Sequence, residues 1–100
     1  MWFKERSEVV ETARAMFDAG LVTGTSGNVS TRLDLDKTKV PLMAITPASI
    51  KYDRLVADDI VVTDFEIAPI EGELIPSSES LLHVGIYETR PDVRAVVHTH

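Results

Sequence analysis

Residues 23–36 read TGTSGNVSTRLDLD, and the stretch changes character halfway. Its first half sets two glycines among small hydroxyl residues, the make-up of a loop. Its second half alternates, with Val29, Thr31 and Leu33 set against Ser30, Arg32 and Asp34. Successive side chains on a β-strand point to opposite faces, so the alternation predicts a loop feeding a half-buried strand. What flanks this strand sets the fold class. Upstream, Val9, Val10, Ala13, Met16 and Phe17 recur at helical spacing between Phe3 and Ala19, and Gly20 stands where a left-handed C-terminal cap would fall. Downstream, the polar turn DKTK (36–39) leads into VPLMAIT (40–46), a second strand with Pro41 near its start or on an edge. Strands joined this tightly leave no room for helical crossovers, which predicts a largely antiparallel sheet.

The rest of the chain continues the pattern. PASIKYDRL (47–55) reads as a turn or a single helical turn, Ile60 to Thr63 as a further strand, and IEGELIP (70–76) as a connection. PSSESLLHVGIYETRP (76–91) reads as a helix capped by Ser77 or Ser78 and stopped before Pro91, and DVRAVVHTH (92–100) as a closing strand. Met16, Phe17, Leu81 and Leu82 are expected in the core. The order of helix, short strands, helix and strand, with no repeat or linker, fits one α/β domain over residues 1–100. A domain rarely ends just after its first functional-looking residues, so the chain is expected to be the N-terminal part of a longer protein.

Composition narrows the function classes. The chain has 100 residues, 44% of them apolar and 26% charged, within the ordinary globular range. A formal charge of -6, with the ten basic residues scattered, argues against a nucleic-acid surface. No run approaches the ~20 apolar residues of a membrane span, and MWFKERSEVV turns charged too early for a signal peptide. A cytoplasmic enzyme or binding protein is the expectation. With no cysteine in the chain, disulfides, thiolate metal sites and cysteine nucleophiles are all excluded.

Any metal must then be held by His, Asp or Glu. In AVVHTH (95–100), His98 and His100 would project from one face of a strand, roughly 6.6 Å apart at Cα, close enough to share an ion. An ordinary solvated or core pair of histidines is the competing reading, since a metal site needs a third ligand. Glu79 falls at the start of a helix, where a carboxylate complements the helix dipole or, with a metal close by, serves as a general acid/base. His83, four residues further on the same helical face, reads as a hydrogen-bonded packing residue rather than a ligand. GTSGNVS (24–30) and the serines before Glu79 offer amides and hydroxyls for an oxyanion, without the lysine and spacing of a P-loop.

Taken in order, GTSGNVS, ITPASIKYDRL, PSSES and RPDVRAVVHTH resemble the class II aldolase/adducin family, the group containing L-fuculose-phosphate aldolase. The resemblance runs from the first helix to His100. It implies a three-layer α/β/α sandwich around a mostly antiparallel sheet, in a homotetramer. It implies a zinc ion, or another divalent metal, on His98, His100 and a third histidine beyond residue 100. It implies Glu79 as the acid/base, and Gly27, Asn28, Ser77 and Ser78 as residues binding a small sugar-phosphate substrate. The implied reaction is reversible cleavage to dihydroxyacetone phosphate and an aldehyde. Where fuculose-phosphate aldolases carry Thr-Gly after ITP, this chain has Ala48 and Ser49, so Ser49 is the candidate for that part of the phosphate pocket. Rival readings are a methylthioribulose-phosphate dehydratase, a ribulose-phosphate 4-epimerase, and a non-catalytic adducin-like interaction domain. No nucleic acid or membrane is expected as a partner.

Overall fold

Helix α1 (Phe3–Asp18) turns Val9, Val10, Ala13 and Met16 inward and stops at Gly20. Gly20 takes φ +75° and its N–H donates to the Phe17 carbonyl, while the Leu21 N–H reaches back to that of Met16. This paired closure is the cap predicted from the sequence. The computed structural model describes residues 2–34 and 38–100. Of the expected turn at 36–39, Asp36 and Lys37 lie outside the described residues.

Five strands follow: β1 (Asn28–Arg32), β2 (Leu42–Ile45), β3 (Val61–Asp64), β4 (Pro69–Glu71) and β5 (Ala95–His98). They form one sheet in the order β4-β3-β2-β1-β5, with every neighbouring pair antiparallel. Two single turns of 3-10 helix, Tyr52–Arg54 and Ala57–Asp59, join β2 to β3. Helix α2 (Ser80–Thr89) carries the chain from β4 to the opposite edge.

Alternation along the strands divides the core in two. Val29, Leu33, Leu42, Ala44 and Val62 pack with α1, Tyr52, Leu55 and Ile60 on one face. Met43 and Ile45 pack with Val84 and Tyr87 of α2 on the other. The sheet is therefore sandwiched between helices, the three-layer α/β/α arrangement expected.

Several expectations change. The half-buried reading of β1 fails because α2 covers its polar face, leaving Ser30 with no exposed surface and Asn28 with 2%. IEGELIP is not a plain connection, since its beginning supplies the end of β4, a short edge strand too brief to show alternation. The N-cap of α2 is Glu79 rather than Ser77 or Ser78, because Ser77 is spent on a turn whose carbonyl receives the Ser80 N–H. Leu81 and Leu82 are not core: they sit on the outer side of α2, 71% and 46% exposed, while His83, Val84 and Tyr87 face the sheet. Finally, β5 ends at His98, so His100 lies past the strand rather than on it, tied by its N–H to the Leu21 carbonyl.

Gly27, just before β1, is held at φ +83°, and an added Cβ would run into Val22 Cγ1 and stand 3.1 Å from the His98 carbonyl oxygen. Gly27→Ala should therefore destabilise the fold by roughly 2–4 kcal/mol, read as a lower denaturant midpoint at unchanged slope. An unchanged midpoint would show that the loop can move aside.

Candidate metal centre and anion pocket

Glu79, His98 and His100 come together from the start of α2 and the end of β5. Each offers a ligand atom within 4.8 Å of the others. His98 Nδ1 stands 2.8 Å from Glu79 Oε2, and His100 Nε2 stands 3.2 Å from Glu79 Oε1. The two imidazole rings are 4.8 Å apart, tilted by 44°. His98 Nδ1 is buried and makes no well-aligned hydrogen bond despite that short distance. That leaves a buried nitrogen without a hydrogen-bond partner beside a carboxylate oxygen, while His100 Nε2 does bond Glu79 Oε1 at 3.2 Å. Two imidazoles and a carboxylate form a donor set suited to a divalent ion. Glu79 makes no side-chain cap to its own helix, so its carboxylate is free to reach across.

Of the five residues expected to bind phosphate, Gly27, Asn28 and Ser77 lie on segments tied together through the backbone, whereas Ser49 and Ser78 are exposed. Thr46 is the hub. Its N–H donates to the Val29 carbonyl, its hydroxyl accepts the Val29 N–H, and its carbonyl accepts the Ser77 N–H. Ala48 N–H bonds the Ile75 carbonyl, and Pro47 faces Pro76 in an isolated antiparallel bridge. The segments at 27–29, 46–48 and 75–77 thus form one laced edge beside Glu79. Ser77 Oγ accepts the Glu79 N–H at 3.2 Å. Ser78 is exposed. Ser49 lies further out, lining a cavity of about 460 Å³ with Thr25, Lys51, Arg54 and Asp59.

Several residues that shape this edge carried no sequence assignment. The buried Tyr52 donates its hydroxyl to the Gly27 carbonyl and lies 3.3 Å from Thr46 Oγ1, pinning the glycine loop. An isolated aromatic in an otherwise polar turn was the available signal. On the sheet's other face, Asn28 Oδ1 is 2.5 Å from His83 Nε2, Ser30 Oγ is 2.6 Å from His83 Nδ1, and Ser30 Oγ is 2.6 Å from the Tyr87 hydroxyl. His83 is a buried, hydrogen-bonded packing residue outside the cluster of candidate ligands, as its sequence position predicted.

Comparison with known proteins agrees with this geometry. Residues 7–100 match the family model described as Class II Aldolase and Adducin N-terminal domain. The chain is 38% identical over 97 residues to a 5-deoxy-D-ribulose 1-phosphate aldolase from Bacillus thuringiensis serovar kurstaki, covering 97% of this chain and 44% of that protein. It is 42% identical over 97 residues to a 5-methylthioribulose-1-phosphate/5-deoxyribulose-1-phosphate aldolase from Escherichia coli O45:K1, covering 97% of this chain and 42% of that protein. A solved structure described as L-fuculose 1-phosphate aldolase superposes with a TM-score of 0.85 at 37% identity, over 97% of this chain and 44% of that one. The chain thus spans less than half the length of these relatives.

Burial between α2 and the sheet, joined by the nearby His98 and partly opposed by Glu79, lowers the His83 pKa from 6.5 to about 4. Between those two values the unfolded chain holds a proton that the folded chain refuses. Stability from this group is therefore complete above pH 6.5 and is lost as the pH falls towards 4. The loss reaches at most about 3 kcal/mol. Denaturant midpoints followed from neutral pH downwards should fall less steeply in His83→Gln, which cannot titrate, than in the parent. Parallel curves would mean that His83 is not kept neutral by the fold.

Proposed function

Because the chain belongs to the class II aldolase and adducin N-terminal domain family, we propose that it works in a metal-dependent lyase that reversibly cleaves a small ketose 1-phosphate to dihydroxyacetone phosphate and an aldehyde. The observation that carries this reading is the convergence of Glu79, His98 and His100 from separate elements onto one point. The names of the similar proteins support the substrate class, since they are called aldolases of deoxyribulose, methylthioribulose and fuculose phosphates.

In this reading His98 and His100 hold zinc or another divalent ion, completed by a third histidine beyond residue 100. When bound, the ion supplies Lewis acidity to the carbonyl and neighbouring hydroxyl of the substrate. Gly27, Asn28, Ser77 and Ser78, with Ser49 at the rim, fix the phosphate end, so that the reacting carbons lie against Glu79. As the carbon–carbon bond breaks, the hydroxyl on the departing carbon gives up its proton and becomes the aldehyde carbonyl, the bond's electron pair is taken up by the carbonyl unit, and the carbon left behind takes up a proton in exchange. Glu79 carries that proton and removes it again in the synthetic direction. The Ser77 hydroxyl on the Glu79 N–H holds the start of the helix while the carboxylate works.

The adducin-like reading loses support here, because an interaction module has no need to gather two imidazoles around a carboxylate. A dehydratase acting on a related substrate would use the same residues, and product analysis separates it from an aldolase. No helix among the described residues is long and apolar enough to cross a membrane. A cytoplasmic homotetramer without nucleic-acid or membrane partners completes the proposal.

The full-length protein should bind about one divalent ion per subunit, and His98→Ala and His100→Ala should each abolish that stoichiometry by elemental analysis. Full metal content in both variants would refute the ligand assignment. Glu79→Gln should keep the metal yet slow hydrogen–deuterium exchange at carbon in dihydroxyacetone phosphate by roughly 100-fold or more. Exchange at the parent rate would exclude Glu79 as the proton carrier.

A further inference from the structure

The polar chain under α2 has a direction. Asn28 Oδ1 faces His83 Nε2 at 2.5 Å, a placement that is paired when Nε2 carries the proton and donates it. A neutral imidazole protonated there has only a lone pair at Nδ1, so the Ser30 hydroxyl, 2.6 Å away, donates to it. The Tyr87 hydroxyl, 2.6 Å from Ser30 Oγ, supplies the next donor in turn. The order runs Tyr87 to Ser30 to His83 to Asn28. Reversing it would leave the buried Tyr87 proton without the Ser30 oxygen to receive it.

Asn28 ends this chain with its carbonyl oxygen taken and its NH2 group still to donate. It is also the direct cross-strand neighbour of His98. We infer that His83 is a positioning residue, which by donating from Nε2 to Asn28 Oδ1 turns the amide's NH2 towards the anionic end of the substrate. The inference rests on the lyase reading and deepens it, by naming what sets the polarity of the phosphate pocket.

The physical argument concerns an amide's two nearly isosteric ends. Shape alone barely distinguishes oxygen from NH2, so an unrestrained Asn28 could present either end to a phosphate. Presenting oxygen would replace attraction by repulsion. An acceptor is needed on Asn28's inner side for the wrong orientation and a donor for the right one. His83 offers only a donor there as long as the Ser30 hydroxyl donates to Nδ1. The lock is therefore built from Ser30 and Tyr87 as well, although neither belongs to the Glu79, His98 and His100 cluster.

The test uses the full-length, metal-loaded protein, with inorganic phosphate as the probe and ketose 1-phosphate cleavage as the activity. His83→Leu should weaken phosphate inhibition and raise KM by roughly 10-fold or more, with metal content retained and kcat changed much less. His83→Gln, which keeps an N–H donor in a similar place, should recover most of the affinity. Independently of any variant, 15N spectra of the parent should show His83 protonated at Nε2 and unprotonated at Nδ1. A folded, metal-loaded His83→Leu with unchanged phosphate affinity, or a His83 protonated at Nδ1, would overturn the positioning role while leaving the lyase reading intact. A parent protein that neither cleaves the substrate nor binds phosphate would overturn both.

Discussion

The polar face of β1 has to be paired once α2 lies over it. Asn28, Ser30 and Arg32 all point to that side, and an unpaired buried polar group costs about 1–3 kcal/mol. Helix α2 meets each of them. His83 takes Asn28 and Ser30, and Tyr87 takes Ser30. Arg32 reaches the end of the helix, donating to the carbonyls of Tyr87, Arg90 and Val93 with its guanidinium 4.8 Å from the Tyr87 ring. The fit is commensurate: four residues of helix rise about 6 Å, and two residues of strand about 6.6 Å. Glu79, His83 and Tyr87, four apart on the helix, therefore keep step with Asn28, Ser30 and Arg32, two apart on the strand.

That register places the site. Nothing local obliges Glu79 to meet His98, since the carboxylate belongs to the start of one element and the imidazole to the end of another. The helix is fixed lengthwise by His83 and Tyr87, so the residue one turn before His83 must come to rest level with Asn28. His98 stands at that level, paired with Asn28 across β1 and β5. A helix held only by apolar contacts, such as Val84 on Met43 and Ile45, could slide with little penalty. Hydrogen bonds of fixed length cannot slide, and the geometry of the candidate site inherits their precision.

The same reasoning explains what the sequence revealed and what it hid. Helix α1 was legible because its apolar spacing and its glycine stop agree. Strand β1 was legible from alternation and β2, β3 and β5 from short apolar runs between turns, whereas the three residues of β4 offer too little of either. The pairing of His98 with His100 was foreseeable from their spacing, although a turn anchored to Leu21, rather than continuing strand, delivers the second ring. Ser30 and Arg32 looked solvent-facing because alternation reports polarity and not cover. Only the placement of α2 shows that this polar face is buried, and that placement depends on pairings between residues more than fifty positions apart. Leu81 and Leu82 misled for the converse reason: apolar character alone does not say which side of a helix meets the sheet.

Ser49 shows the fold insisting on a shape against its residue. It takes φ +66°, a left-handed conformation costing a residue with a Cβ roughly 1 kcal/mol, at the position where the resembling aldolases carry glycine. The backbone there is gripped on one side by the bonds of Thr46 and Ala48 to Ser77 and Ile75, and on the other by Tyr52, whose hydroxyl holds Gly27. Between two such anchors the chain has little choice of path. The strain is thus a property of the laced edge and not of the residue, and the edge keeps a glycine-like course at Ser49 while presenting a hydroxyl there. Because that hydroxyl opens onto the cavity shared with Lys51 and Arg54, a change of side chain here alters the chemistry at the outer rim without disturbing the backbone that positions Asn28 and Ser77. The rim at Ser49 is independent of the inner edge for the same reason that Glu79, His98 and His100 are brought together: in each, hydrogen bonds from neighbouring elements fix the backbone.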